Sequence, residues 1–592
     1  RPDIDTIYVC TDSGREGEYI YRLVAQMAGV KDKTQKRVWI DSQTEEEILR
    51  GIREAKDISE YDNLAAAAYL RAKEDYLMGI NFSRVLTLRY GNSVTNYLGG
   101  KYQAISVGRV MTCVLGMVVR REREIRAFVK TPFYRVVSSI ALEGESFEGE
   151  WRAVEGSRYF QSPVLYKENG FKKKEDAQKL ICELSTQQPL ICTVEKIERK
   201  KENKNPPLLF NLAELQNVCS KLFKISPDET LSIVQDLYEK KLVTYPRTDA
   251  RVLSTAVAKE IYKNISGLRN YPQAGDAAQG ALELGAYKNI AKTRYTNDKQ
   301  ITDHYAIIPT GQGLGALKGL SLTAQRVYET IVRRFLSIFY PPAVYQKVSL
   351  VTKMENESFF SSFKVLLSEG YLKIAANSFA KKSMAEASGK TPESEGEGEV
   401  SCDEALLAAL QKLKKGDILN INGLGIKEGE TSPPKRYNSG SMILAMENAG
   451  QLIEDEDLRS QIKGSGIGTS ATRAEILKKL FNIRYLSLNK KTQVITPTLQ
   501  GEMIYDVVNC SIRQLLNPEL TASWEKGLTY VAEGSITEQE YMDKLERFVR
   551  IRTKQVEDSH FQYALRQFFD AAAQYYKKPE RETAVKKRQN TL

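Results

Sequence analysis

Tyr245, Pro246, Arg247, Thr248 and Asp249 follow the apolar pair Leu242–Val243 and could do covalent chemistry. Proline biases the residue before it towards extended backbone, and side chains two apart on an extended chain share a face. Tyr245 and Arg247 are therefore expected to point the same way. A phenol with an ordinary pKa of about 10 is a poor nucleophile. A guanidinium beside it stabilises both the phenolate and the charge that builds on an attacked phosphate. Read alone, the segment fits a strand tyrosine beside a surface arginine better than a nucleophile, so its weight depends on what else the chain carries.

Five other clusters bear on phosphate chemistry. Asp12, Ser13, Gly14, Arg15, Glu16, Gly17 and Glu18 lie between an expected strand, Thr6 to Thr11, and an expected helix with Ile20, Leu23 and Val24 at helical spacing. Asp12 and Glu16 are oxygen donors suited to Mg²⁺, although acids also favour a helix N-terminus for its dipole alone. Arg71 and Asp75 stand four apart in a helical pattern expected to stop at Gly79; they form either a surface ion pair or one that holds the arginine for a phosphate. Ser106, Gly108 and Arg109 precede an apolar helical run and serve as a simple cap or as an anion site. His304, one of two histidines, sits in Asp303–Thr310, where it is either structural or able to orient a phosphate and share a proton.

The glycine-rich turn Gly464–Arg473 precedes a helix expected from about Ala471 to Leu480. Free amides of Gly466 and Gly468, the hydroxyls of Thr469 and Thr472 and the charge of Arg473 make an anion site. No Lys-Ser or Lys-Thr pair follows the glycines, so a nucleotide is not implied. Tyr485–Leu486 and Val494–Ile495 could pair as a small wing.

The elements that must position these residues belong to several domains, since 592 residues exceed a single core. The 86 Lys and Arg against 75 Asp and Glu, a formal charge of +11, favour a polyanionic partner. No apolar run is long enough to span a bilayer. Seven scattered cysteines without a CxxC pair read as reduced core thiols of a cytosolic protein. Alternation in Phe128–Pro206 suggests strands, Ser226, Pro227 and Glu229 mark the start of a helix over Ser226–Lys241, and Lys381–Val400 reads as a solvated linker. Past His560 one more helix precedes a basic tail.

In order and spacing these motifs resemble the type IA DNA topoisomerases of the topoisomerase III kind, from about Thr6 to Val549. Asp12–Glu18 resembles the second acidic motif of the Toprim domain, Arg71–Gly79 the helix after it and Ser106–Thr112 the strand-binding Gly-Arg-Val motif. Tyr245–Asp249 resembles the nucleophile motif, Asp303–Thr310 the histidine motif and Gly466–Glu475 the Gly-Ile-Gly-Thr…Ala-Thr-Arg-Ala-Glu signature. The resemblance implies a multidomain α/β and α toroid: a partial Toprim domain (1–60), a discontinuous, winged-helix-like single-strand DNA-binding domain (61–127 and 432–556), a discontinuous strand-rich arch (128–210 and 341–431), a tyrosine domain (211–340) and a C-terminal helix with basic tail (557–592). It implies an ATP-independent enzyme in which Tyr245 cleaves one DNA strand as a 5′-phosphotyrosyl intermediate, another strand passes, and the 3′-hydroxyl reseals the break. Negative supercoils relax and linked DNA separates.

By the same likeness Arg247 stabilises the transition state, His304 and Arg71 handle the scissile phosphate, Asp75 holds Arg71, and Asp12 with Glu16 carries Mg²⁺. Ser106, Gly108, Arg109, Gly466, Gly468, Thr469, Thr472 and Arg473 position single-stranded backbone. A cytoplasmic, nucleoid-associated monomer is implied, with a helicase or single-strand-binding protein as partner and no membrane or nucleotide. The chain departs from the family pattern in four places. It starts after the first Toprim strand with its Lys and Glu, so the fragment as given is expected to be inert. Gly14 stands where many relatives carry a second metal-binding Asp, Met111 and Cys113 replace a frequent Gln and Pro, and no zinc ribbon follows Val549. These departures keep open an alternative, a non-cleaving DNA-binding scaffold of the same descent.

Overall fold

The computed structural model describes residues 3–100, 104–186, 188–379, 399–401, 404–462 and 466–576. Gly464, Ser465, most of the expected linker 381–400 and the basic residues from Lys577 onward lie outside the described residues. The last two residues of that linker differ from expectation, because Glu399–Ser401 is a short strand paired in parallel with Ser362–Lys364.

The acidic turn sits on a small α/β unit. Thr6–Val9 pairs in parallel with Thr34–Arg37 across the helix Arg15–Ala28, and Lys56–Asp57 adds an antiparallel edge. The next helix, Asp62–Leu98, runs 37 residues straight through Gly79, where a stop was expected. A mid-helix glycine costs only about 1 kcal/mol relative to alanine, and burial of Met78, Phe82, Val85 and Leu86 on either side outweighs it. The helix ends instead at Gly99, in the left-handed region at φ 64°.

One core combines this helix and Arg109–Ala127 with the late helices Ser439–Glu447, Arg473–Asn482, Leu499–Ser511, Pro518–Ala532 and Glu538–Glu557. Residues far apart in sequence thereby share one apolar interior. A small wing, Leu486–Leu488 against Ile495–Pro497, follows the Arg473–Asn482 helix as expected.

A second core closes over the helices Leu212–Phe223, Pro227–Glu239, Thr255–Gly267, Gly275–Leu284 and Leu322–Ser337. Ser226 caps the second of these by accepting from the Glu229 amide, with Pro227 at its first position. The strand-rich region forms a third core. Six strands, Glu357–Ser368, Ala343–Met354, Ile191–Lys204, Ile418–Glu430, Pro132–Leu142 and Glu145–Arg152, pair antiparallel in that order, and the last returns to the first. This closure leaves no free edge among the six, and Val136, Ile140, Phe147, Trp151, Val194, Leu350 and Phe359 fill the inside.

The cysteines only partly match the reading of core thiols. Cys113, Cys192 and Cys219 are buried, but Cys10, just past the strand Thr6–Val9, and Cys182, on the helix Lys174–Leu184, are exposed.

Candidate active site

Tyr245 lies in irregular chain rather than a regular strand. Val243 bridges to Pro309, the Thr244 amide donates to Ile308 O at 3.0 Å, and the Thr244 and Thr248 hydroxyls donate to Ala306 O and His304 O at 3.0 and 2.8 Å. The tyrosine and histidine segments are thus stitched together by backbone and threonine hydroxyls. As a result the Tyr245 and His304 rings sit 4.3 Å apart at 43°, with Tyr238 edge-on to Tyr245 at 5.4 Å.

Across a cavity of about 790 Å³ stands Asp12, whose Oδ2 lies 3.5 Å from His304 Nε2. The close polar contact with His304 is the chief reason the Asp12 carboxyl is held below its usual range, with the charges of His304 and Arg37 adding to it against partial burial. Burial instead pushes the Tyr245 phenol up, and the exposed guanidinium of Arg247 offsets this only in part. The guanidinium expected to stabilise the phenolate does so, but burial of the phenol outweighs it.

The acidic turn is held from beneath by Arg37. Its buried guanidinium bonds Glu18 Oε2 at 2.9 Å, Val9 O at 3.1 Å and Thr11 O at 2.7 Å. Gly17 is required here, since a Cβ would fall 2.0 Å from Asp12 O. Gly14 also has a local reason, for a Cβ on it would lie 3.8 Å from Asp303 Oδ2 and an acid there would meet the Asp303 carboxylate.

The expected Mg²⁺ pair does not converge. Asp12 faces the tyrosine cavity, while Glu16, exposed on the first helical turn, lines a different cavity of about 440 Å³. Among the described residues no three His, Cys, Asp or Glu side chains are grouped so as to hold a metal ion. The residues present therefore do not complete a metal shell.

The second cavity gathers Arg15, Arg71, Asp75, Gly108, Arg109, Gly468, Thr469 and Thr472. The expected Arg71–Asp75 pair is not the contact that forms. Arg71 Nε turns to Glu525 Oε1 at 3.5 Å, and Asp75 Oδ1 takes Arg109 Nε at 3.1 Å. Arg109 begins its helix with a side chain 1% exposed, and a buried cation needs carboxylates. It has Glu74 at 2.9 Å, Asp75, and Glu525 at 3.4 Å. Arg109 is thus an internal tie rather than an open strand-binding side chain. Ser106 is fixed through its amide, which donates to the Tyr485 hydroxyl at 2.9 Å.

Arg473 differs from expectation in the same way. It is buried, and its Nη1 donates to Asp249 Oδ1 at 2.8 Å, joining the glycine-rich turn to the tyrosine motif. The turn itself needs glycine at 466, where φ is 66° and a Cβ would meet Met446 O at 2.2 Å. Thr469 and Thr472 bond one another's polar groups at its outer edge, with hydroxyl oxygens 3.1 Å apart.

Sequence reasoning singled out neither Arg37, Glu74 nor Glu525, and it did not separate Asp303 from the motif around it. Glu525 lies hundreds of residues from its arginines, and Glu74 and Arg37 meet their partners from a separate element. The one available signal was charge inside an otherwise apolar helical pattern, as at Glu74 between Leu70 and Met78.

A family model described as DNA topoisomerase matches residues 59–543. DNA topoisomerase 3 of Bacillus subtilis (strain 168) is 31% identical over 563 residues, covering 94% of this chain and 70% of that protein. DNA topoisomerase 3 of Shouchella clausii (strain KSM-K16) is 32% identical over 560 residues, with 94% and 69% covered. Among solved structures, full-length topoisomerase I from Thermotoga maritima aligns with a TM-score of 0.62 at 21% identity, covering 93% of this chain and 78% of that one, a likeness of fold.

Proposed function

The chain belongs to the type IA DNA topoisomerases, in the topoisomerase III-like group, and on that premise we propose that Tyr245 is the nucleophile of its ATP-independent strand cleavage. DNA is the substrate. The observation that carries the assignment is the meeting of Tyr245, His304 and Asp12, from three separate segments, around one cavity.

In this reading the Tyr245 oxygen attacks a backbone phosphorus and a Tyr–O–P bond forms as the P–O3′ bond breaks. The phenolic proton departs and the leaving 3′-oxygen acquires one. Bond energy is kept in the phosphotyrosine, so no nucleotide is consumed when the 3′-hydroxyl reverses the step. Arg247, exposed beside the phenol, meets the charge that builds on phosphorus. His304, held in place by Thr248 and by Asp12, orients the phosphate.

Arg71 and Arg15, on the second cavity, contact neighbouring phosphates, while Arg109 and Arg473 act from inside, the first by fixing the helix start and the second by tying the turn to the tyrosine segment. Gly468, Thr469 and Thr472 face single-stranded backbone, whereas the Gly108 and Gly466 amides, expected to be free, are spent on Thr112 Oγ1 at 3.0 Å and Ile462 O at 2.8 Å, so these two glycines shape the turns instead.

Family membership is consistent with a metal requirement at the acidic motif, and Mg²⁺ is the ion proposed. Of the expected pair Asp12 and Glu16, only Asp12 lines the tyrosine cavity and would join such an ion, which would supply electrostatic stabilisation of charged oxygens. The division into Toprim, strand-binding, arch and tyrosine domains, monomeric action in the cytoplasm and a helicase or single-strand-binding partner complete the proposal.

The test is incubation with negatively supercoiled plasmid and Mg²⁺ without ATP. Stepwise relaxation by the full-length protein, lost with Tyr245→Phe, supports it. A denatured adduct mapping to another residue would overturn it.

A further inference from the structure

Glu525 stands on the helix Pro518–Ala532, remote in sequence from every motif above, yet its carboxylate meets three of their arginines. Oε2 takes Arg15 Nη1 at 3.2 Å, and Oε1 takes Arg71 Nε at 3.5 Å and Arg109 Nη1 at 3.4 Å. These guanidiniums come from the start of one helix, the middle of a second and the start of a third. The side chain of Glu525 is 15% exposed, those of Arg15 and Arg71 are 29% and 23% exposed, and both arginines line the 440 Å³ cavity.

Three guanidiniums within reach of one point repel one another, and long arginine side chains lose considerable rotamer freedom when fixed. A single shared carboxylate opposes both effects. It accepts one hydrogen bond each from Arg15 and Arg109 and meets Arg71 as an ion pair, out of the five N–H groups each guanidinium carries. Arg15 and Arg71 so retain donors for the cavity, whereas Arg109 spends its own on Glu74 and Asp75. Although burial opposes ionisation, the three guanidiniums outweigh it and hold the Glu525 carboxyl below its usual range.

We propose that Glu525 is the positioning residue of the strand-binding cavity, aligning Arg15 and Arg71 so that successive phosphates of a single strand dock in one register relative to Tyr245. It touches no DNA itself; it acts through the two arginines. This inference rests on the strand-cleaving reading of Tyr245.

The test compares the full-length protein with Glu525→Gln and Glu525→Asp. With a labelled single-stranded oligonucleotide at saturation, Glu525→Gln is expected to form the covalent adduct about 10- to 100-fold more slowly, the scale of a small misplacement at a reacting centre. Cut positions should spread to adjacent phosphates. Affinity for the oligonucleotide should not fall, because a negative charge has been removed, and Glu525→Asp should restore the cut register. A role confined to stability would leave register untouched.

A second arm works without cleavage: in the Tyr245→Phe background, phosphate-ethylation interference should lose definition with Glu525→Gln and keep it with Glu525→Asp. Should Glu525→Gln not fold, Arg15→Gln, at a partly exposed side chain, carries the same two comparisons. Unchanged cut positions and an unchanged interference pattern overturn the inference. Absence of any adduct from the full-length protein overturns the Tyr245 reading instead, and the interference arm still decides on Glu525.

Discussion

Arg473 donates from Nη1 to Asp249 Oδ1 at 2.8 Å, with the arginine side chain 1% exposed and the aspartate 30% exposed, so a buried cation of the strand-binding core leans on the tyrosine motif. Asn211 completes the junction, its Nδ2 donating to Asp249 O at 3.1 Å and to Glu447. Removing Asp249 leaves Arg473 under-compensated inside the protein. Asp249→Asn is therefore expected to cost about 1.5–3 kcal/mol, the range for a hydrogen bond to a charged group, read from the urea midpoint. Adduct formation should fall further than stability does, because the tyrosine segment loses its anchor. Equal stability of variant and parent would show that the junction carries no strain when cut.

The Tyr245 and His304 rings are close enough that each limits the other's motion. Tyr245→Phe keeps the ring and its packing, so the fold should change by about 1 kcal/mol or less, within the ordinary range for a mild substitution, while the phosphotyrosyl product disappears. Gel analysis of a labelled oligonucleotide with calorimetry on the same sample checks both. His304→Ala, by contrast, should leave a slow residual adduct, because the nucleophile is still present.

Two glycines of equal look in the sequence should answer oppositely to alanine. At Gly466, φ of 66° and a carbonyl 2.2 Å from the added carbon make Gly466→Ala destabilising by more than the roughly 1–2 kcal/mol of left-handed backbone alone. At Gly79 nothing lies within 4 Å of that carbon and the residue sits mid-helix. Gly79→Ala should stabilise by roughly 0.5–1 kcal/mol. Paired denaturation curves decide, and a stabilised Gly466→Ala would contradict the geometry.

Local signals carried the reading where the cause was local. The Ser226–Pro227–Glu229 cap, the wing after Arg473–Asn482 and the alternating strand Pro132–Leu142 all follow from neighbours a few residues apart. The site motifs were legible as types, since Asp12, Tyr245 and His304 do share one cavity. Partnership was not legible. Arg71 chose Glu525 over Asp75 at the expected spacing, and Arg109 and Arg473 turned inward, because the competing carboxylates arrive from other elements: Glu525 from a late helix, Glu74 and Asp75 from the preceding helix, and Asp249 from the tyrosine motif. Helical spacing states which side chains can meet, and tertiary packing decides which do.

Glu74 offers a prediction in which pH reports on this packing. Its carboxyl is fully buried on the long helix, accepts from the Tyr541 hydroxyl at 2.9 Å and faces Arg109. Burial pushes it up to about 7, with the Arg109 charge working in the other direction and the neighbouring Asp75 charge adding to the rise. In the unfolded chain the group titrates near 4.5, so between about 4.5 and 7 the folded state binds more protons than the unfolded one. Stability from this group must then be greatest below the lower value, decline as pH rises through the window and level off above it. The change is on the order of a few kcal/mol at most. Glu74→Gln keeps the shape, cannot ionise and leaves Arg109 with Asp75 and Glu525. The difference in urea midpoint between variant and parent, taken at pH 5, 6, 7 and 8, should therefore move in the variant's favour from pH 5 to 7 and level off towards 8. A difference that stays flat across those four points would mean that Arg109 keeps Glu74 ionised throughout, and that the pair rather than burial governs the interior of this helix.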